Sequence, residues 1–133
     1  MTVLAFLPGM LSILYGDEVG VCGIGNLANR APYPWKYRDK DMLKFTRRVI
    51  KARKQEEFLK TADARIVKID SEQFVFERYD DDGNKILVIA SRTHHETKVD
   101  VPEEFKDAQV IFNIKGSNTQ KLAPYGAIVL KKR

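Results

Sequence analysis

The sequence predicts a mainly β protein: an antiparallel β-sandwich in the second half of the chain, preceded by a piece of an α/β unit. Three observations predict it. Short segments of alternating polarity, separated by Asp, Asn and Gly turns, recur from residue 61 onward. One amphipathic helix precedes them. Before that helix stand a short, continuously apolar run and a long loop, which cannot close a core by themselves because each must bury its apolar surface against something else.

The bulk properties narrow the class. At 133 residues there is room for one ordinary domain, or for one small domain and part of another. Hydrophobic residues make up 44% and charged residues 31%, which excludes disorder as the main state. Cys22 is the single cysteine and excludes an internal disulfide framework. The apolar start, MTVLAFLPGMLSIL, is interrupted by Pro8-Gly9, lacks preceding basic residues and is followed by no small-residue cleavage site. It therefore reads as a buried strand rather than a leader or membrane anchor, and a cytoplasmic location is expected. The net charge of +5 is local, since Lys36 to Lys60 hold ten Lys/Arg against four Asp/Glu and the rest of the chain sums to minus one. That basicity belongs to the wet side of one helix. Neither aromatic interleaving nor a recognition motif accompanies it, so no nucleic-acid partner is expected.

Taken in order, Leu11 to Tyr15 reads as a strand buried on both faces, bounded by Pro8-Gly9 and Gly16-Asp17. Gly16 to Tyr37 carries four glycines and two prolines and is a long loop, of the kind that tends to be functional. A helix starts near Asp39 or Asp41, either of which can cap it, and runs to about Gln55. Met42, Leu43, Phe45, Val49, Ile50 and Ala52 share one half of its wheel, with Lys and Arg on the other. Arg53 falls inside the apolar arc, where it is expected to reach helix-end carbonyls or to snorkel outward. Strands are expected at Arg65–Asp70, Gln73–Tyr79, Lys85–Ser91, Glu96–Val101, Gln109–Ile114 and Ala127–Leu130, with Asp80 to Asn84 as a hairpin turn.

Several residues carry a resemblance. LPGMLSILYGDEVG, with Pro8, Gly9, Tyr15, Gly16, Asp17 and Glu18, resembles the eighth barrel strand of the alpha-amylase family, particularly its neopullulanase, cyclomaltodextrinase and maltogenic amylase members. GIGNLANRAPYPW, with Arg30, Pro32, Pro34 and Trp35, is similar to the loop that follows. DMLKFTRRVIKARKQ is similar to the last barrel helix, and LAPYGAIVLKK, with Pro124, Tyr125 and Gly126, to the last strand of the C-terminal β-domain. The resemblance implies that residues 1–60 are a remnant of a (β/α)8 barrel, comprising its last strand, loop and helix, and that residues 61–133 are the C-terminal β-domain. It implies a parent glycoside hydrolase of the retaining type, acting on α-glucans such as starch, maltodextrin or cyclodextrin.

The resemblance supplies no catalytic residue. The family's two reacting carboxyls and its third acidic residue sit at the ends of the fourth, fifth and seventh barrel strands, which would lie upstream of Met1, so this chain alone is expected to be inactive. It marks Arg30 as a residue that would touch sugar, and Trp35 joins it as a candidate because an aromatic face stacks on a sugar ring. Asn26-Leu27 stand where the family has an acidic partner for Arg30, and a loop-bracing salt bridge is the other reading of that arginine. For Trp35 and its neighbour Tyr33 the other reading is packing of the loop.

The remaining candidates read as structural. Asp17 and Glu18 would point to opposite faces of a strand and so could not converge on one bond. His94 and His95 lack a third ligand at metal spacing. Asp80 to Asp82 lack the downstream glutamate of a calcium loop. Accordingly neither a cofactor nor a metal is expected. The competing reading is a free-standing carbohydrate-binding or interaction module. It needs exposed aromatics on a sheet face, whereas alternation turns Phe74, Phe76, Phe105 and Phe112 inward. A barrel remnant without a barrel would also leave apolar surface uncovered, which predicts self-association.

Overall fold

A computed structural model describes residues 1–23 and 32–132 of the chain. In order, helix α1 (Thr2–Phe6) is followed by a 3-10 turn (Asp17–Val19), helix α2 (Lys40–Lys54) and a second 3-10 turn (Glu57–Lys60). Strands β1 (Asp63–Ile69), β2 (Gln73–Tyr79), β3 (Lys85–Ser91) and β4 (Thr97–Lys98) come next. A 3-10 turn at Glu103–Phe105 then leads to β5 (Gln109–Asn113), β6 (Lys121–Leu122) and β7 (Ala127–Lys131).

Five strands form an antiparallel sheet in the order β1-β2-β3-β7-β5, and β4 pairs with β6 in a small ribbon. The sheet is covered on both faces. On one lie α1 and α2, with Ala5, Phe6, Val49, Ala52 and Leu59 packed on Phe76, Ile86, Val88, Phe112 and Val129. Val99 and Leu122, flanking or within the ribbon, and Phe105 pack on Val75, Leu87, Ile89, Ile128 and Leu130 of the other. Successive residues of a strand point to opposite faces, so a strand covered on both is buried at nearly every position. This explains the unbroken run Ile86 to Ala90 in β3 and Ala127 to Leu130 in β7, all buried. The outermost strand β1 is exposed at all its positions. Both edge strands carry a register shift, between Ile66 and Lys68 in β1 and between Val110 and Phe112 in β5. Bulges of this kind hinder pairing with a foreign strand.

Local chemistry sets the ends of the elements. Asp39 caps α2, its Oδ1 accepting from Asp41 N and Met42 N, both at 2.9 Å, and Lys51, Arg53 and Lys54 complement the dipole at the other end. The β1–β2 turn is tied by Asp70 Oδ1, which accepts from Glu72 N at 2.8 Å and Gln73 N at 2.7 Å. In the β2–β3 hairpin Asp80 accepts from the backbone and side-chain nitrogens of Asn84, each at 2.8 Å. The turn into β7 has a steric requirement: a Cβ on Gly126 would lie 2.7 Å from Ala123 O, 2.9 Å from Ala123 N and against Ser117 Oγ.

Three expectations need correction. Leu11 to Tyr15 is not a strand: Leu11 to Leu14 has no regular structure, Tyr15-Gly16 is a turn, and Leu14 and Tyr15 are exposed. A strand exists only by pairing, and among the described residues no strand pairs with that segment. The apolar start of the chain, read as buried strand, forms the short helix α1 instead. Of Glu96–Val101 only Thr97–Lys98 pairs, because its partner β6 is itself two residues long.

Candidate functional site

The loop after Leu14 is built around Gly16. Its φ is +89°, and an added Cβ would meet Val21 Cβ at 2.8 Å, so only glycine fits. Gly16 O accepts from Val19 N at 3.1 Å and Val21 N at 3.0 Å, and Gly16 N donates to Glu18 Oε2 at 3.0 Å. Asp17 and Glu18 therefore lie on a 3-10 turn rather than at a strand end. The expectation that they point to opposite faces rested on the wrong geometry, yet the structural reading of Glu18 stands, because its carboxylate closes the turn. Asp39 N donates to Val19 O at 3.3 Å and joins the returning chain to this turn.

Aromatic rings gather at this rim. The Tyr15 and Tyr33 centroids are 5.9 Å apart at an edge-on angle, and Tyr33 and Trp35 are 4.6 Å apart. Trp35 is 72% exposed, so within this chain it is not buried by loop packing. Arg30 lies outside the described residues. Below the rings a groove opens between the loop and α2, lined by Ile13, Tyr15, Glu18, Leu43, Thr46 and Arg47 among others. Thr46 Oγ1 is buried there without a hydrogen-bond partner among the described residues.

Away from the rim, the strongest electrostatics are structural. Glu77 is buried in β2, and its Oε2 accepts from Arg65 Nη2 at 2.9 Å while Lys85 Nζ stands 3.5 Å from Oε1. Glu104 adds a second carboxylate, 2.9 Å from Lys85 Nζ. The hydrogen bond from Lys85 holds the Glu104 carboxyl below its ordinary range, and Glu104 in turn raises Lys85. Both carboxylates are thus neutralised by cations, a poor setting for acid catalysis. Arg78, also buried in β2, faces no carboxylate at hydrogen-bond distance among the described residues. It donates to the carbonyls of Asp63, Phe6, Leu59 and Ala62 at 3.0, 2.8, 3.0 and 2.6 Å. Burial, and after it the neighbouring Arg53 guanidinium, push Arg78 down from its ordinary pKa.

Neither Glu77 nor Arg78 stands out as a buried charge from strand alternation alone. The available signal is that they are adjacent charges opposite Leu87 and Ile86 of a strand covered on both faces, so one must be buried on each side. His94 and His95 are exposed, their rings 5.3 Å apart, and His95 Nε2 is 3.8 Å from Glu72. The described residues include no group of three His, Cys, Asp or Glu able to hold a metal ion, and none of their helices is long and apolar enough to cross a membrane. Phe76 and Phe112 are buried and Phe74 packs against the helical side of the core, as alternation requires, while Phe105 is buried from a 3-10 turn rather than a strand.

Comparison with known proteins adds three similarities, while no family model matches. An amylopullulanase of Thermoanaerobacter thermohydrosulfuricus is 37% identical over 71 residues, 53% of this chain and 5% of that protein. The maltogenic amylase of S. marinus superposes with a TM-score of 0.76 at 21% identity, covering 97% of this chain and 18% of the other. The alpha-amylase of H. orenii gives 0.79 at 21% identity, covering 99% and 34%. The chain thus spans a small part of each relative. The local sequence similarity to an amylopullulanase and the fold shared with part of these amylases relate the chain to a part of alpha-amylase family enzymes.

Proposed function

We propose that the chain is the C-terminal segment of a retaining glycoside hydrolase acting on α-glucans. Residues 1–60 complete the rim of its (β/α)8 barrel, and residues 61–133 are a β-domain that supports it. The observation that carries this reading is the 37% identity with an amylopullulanase over 71 residues. The chemistry is consistent with a supporting part. Retaining hydrolysis needs two carboxyl groups about 5 Å apart across the scissile bond, and of the adjacent pair at the rim Glu18 is occupied in closing its own turn. Arg30 and Trp35 contact sugar in the complete enzyme, Trp35 by offering an open indole face next to Tyr33.

One observation favours a second reading, a free-standing carbohydrate-binding module: the Tyr15, Tyr33 and Trp35 cluster is a candidate stacking platform without any barrel. Two measurements on the purified chain separate the readings. Incubation with maltoheptaose is expected to release no new reducing ends, and titration calorimetry is expected to show no heat. Turnover at ordinary enzymatic rates would overturn the first reading. Heat that disappears in Trp35→Ala would establish the second.

A further inference from the structure

Helix α1 ends in a way its own backbone cannot satisfy. The last carbonyls of a helix need outside donors, commonly supplied by N–H groups of a glycine-led turn. Here the C-cap Leu7 is extended, at φ −66° and ψ 158°, and Pro8 has no N–H to offer. Among the described residues no backbone amide donates to the carbonyls of Ala5, Phe6, Leu7 or Gly9. Two arginines do. Arg53, from the last turn of α2, donates Nη1 to Ala5 O at 2.6 Å and Leu7 O at 3.3 Å, and Nη2 to Gly9 O at 2.7 Å. Arg78, from the middle of β2, donates Nη1 to Phe6 O at 2.8 Å. Its remaining donors join the carbonyls of Leu59, Ala62 and Asp63, where the chain turns from helix into β1.

Two guanidiniums near one another, one of them 1% exposed and facing only carbonyls, are an expensive arrangement. A lone apolar side chain at either position would avoid that cost. What it would not supply is direction: a planar fork of donors fixes the orientation of the peptide groups it binds. Apolar contacts hold a five-residue helix to a surface without setting where the chain leaves it.

We propose that Arg53 and Arg78 are positioning residues, a two-arginine clamp that holds the end of α1 on the β-sheet and so fixes the path on which Met10 to Gly16 leaves toward the aromatic rim. The end of α1 is thereby held through four of its backbone carbonyls, three by Arg53 and one by Arg78, rather than by side-chain packing alone.

Segment-resolved amide hydrogen exchange on the full chain tests this, because local release and global unfolding differ in which amides lose protection. In Arg53→Gln, the helix-bonded amides of Ala5 to Leu7 are expected to exchange about tenfold faster while those of β2, β3 and β7 keep their rates. Arg78→Gln is expected to do the same and to add residues 59–63. Arg53→Lys, which restores charge and some donors, is expected to recover part of the protection. Unchanged exchange at Ala5 to Leu7 in Arg53→Gln would overturn the proposal, as would equal acceleration throughout the sheet. Should Arg78→Gln not fold, Arg53→Gln decides alone, since its guanidinium bonds only carbonyls at the end of α1. Either outcome leaves the α-glucan assays independent.

Discussion

Replacing Gly126 by alanine tests whether the turn into β7 is as inflexible as its geometry requires. A Cβ there would stand 2.7 Å from Ala123 O and 2.9 Å from Ala123 N, short of ordinary contact at 3.4 Å by 0.7 and 0.5 Å. The turn cannot open cheaply to make room. Gly126 N donates to Ala123 O at 2.7 Å, Ala123 N to Ser117 Oγ at 3.0 Å, Tyr125 N to Thr93 O at 2.9 Å, and Ser91 N to Gly126 O at 2.8 Å. Overpacking of this kind costs about 1–3 kcal/mol, and the upper end applies because two of the three obstructing atoms are backbone. With a urea dependence of roughly 1.5 kcal/mol per molar, a loss of about 3 kcal/mol moves the unfolding midpoint down by about 2 M.

Urea titration followed by circular dichroism measures that shift. Repeating Gly126→Ala in a Ser117→Ala background separates the contributions. Ser117→Ala removes the obstructing hydroxyl, so only the clash with Ala123 remains, and more than half of the cost is expected to persist. A midpoint within about 0.3 M of the parent, equivalent to roughly 0.5 kcal/mol, would mean that the turn yields and that the Pro124-Tyr125-Gly126 motif has no steric basis.

Two further outcomes are expected. The Lys68 ammonium and the backbone N–H groups of Gln73 and Glu72 hold the Asp70 carboxyl at a pKa of about 2, below its ordinary 3.8. Its folded pKa is depressed, so its contribution is complete above pH 4 and disappears as pH falls through 2. Thermal unfolding of the parent and Asp70→Asn should therefore show a gap at pH 6 that closes by pH 2, and a gap of constant size would contradict the assignment. The chain by itself should also self-associate, because Met10 and Leu14 on the rim segment and Ile66 and Ile69 on the edge strand are large apolar residues left 61–94% exposed. Sedimentation velocity giving a monomer at every concentration tested would refute this.

Elements encoded by a local pattern were legible in the sequence. The limits of β2 and β3 follow from the turn residues that bound them, and α2 begins one residue after Asp39 because a cap is a side-chain property. Elements defined by their partners were not. Lys121-Leu122 gives no periodic signal over two residues, and β6 exists only because β4 lies opposite it. Arg53 was legible as a misfit in an apolar arc and as a donor to helix-end carbonyls. That those carbonyls belong to another helix, 44 to 48 residues away in sequence, is a tertiary fact. At the rim, the sequence points to Trp35, but its exposure depends on what covers the loop.

The segment Leu11 to Tyr15 shows how motif and structure can both be right while disagreeing. Its apolar run has the composition of a strand covered on two faces, and that composition satisfies side chains only. The backbone of such a strand needs a neighbour on each side, and barrels are the architecture that supplies both neighbours to every strand. The five-stranded sheet begins at Asp63, and among the described residues none of its strands pairs with the rim segment, so no ladder is on offer. The run therefore leaves the clamp at Gly9 as unpaired chain, with Leu14 and Tyr15 open to solvent. If residues 1–60 complete a barrel as proposed, the same five residues become a strand when flanking strands are present, with no change in sequence. Amide protection appearing at Leu11 to Leu14 in the complete enzyme, and absent from this chain alone, is the expected result. Absence from both would show that the apolar run has another purpose.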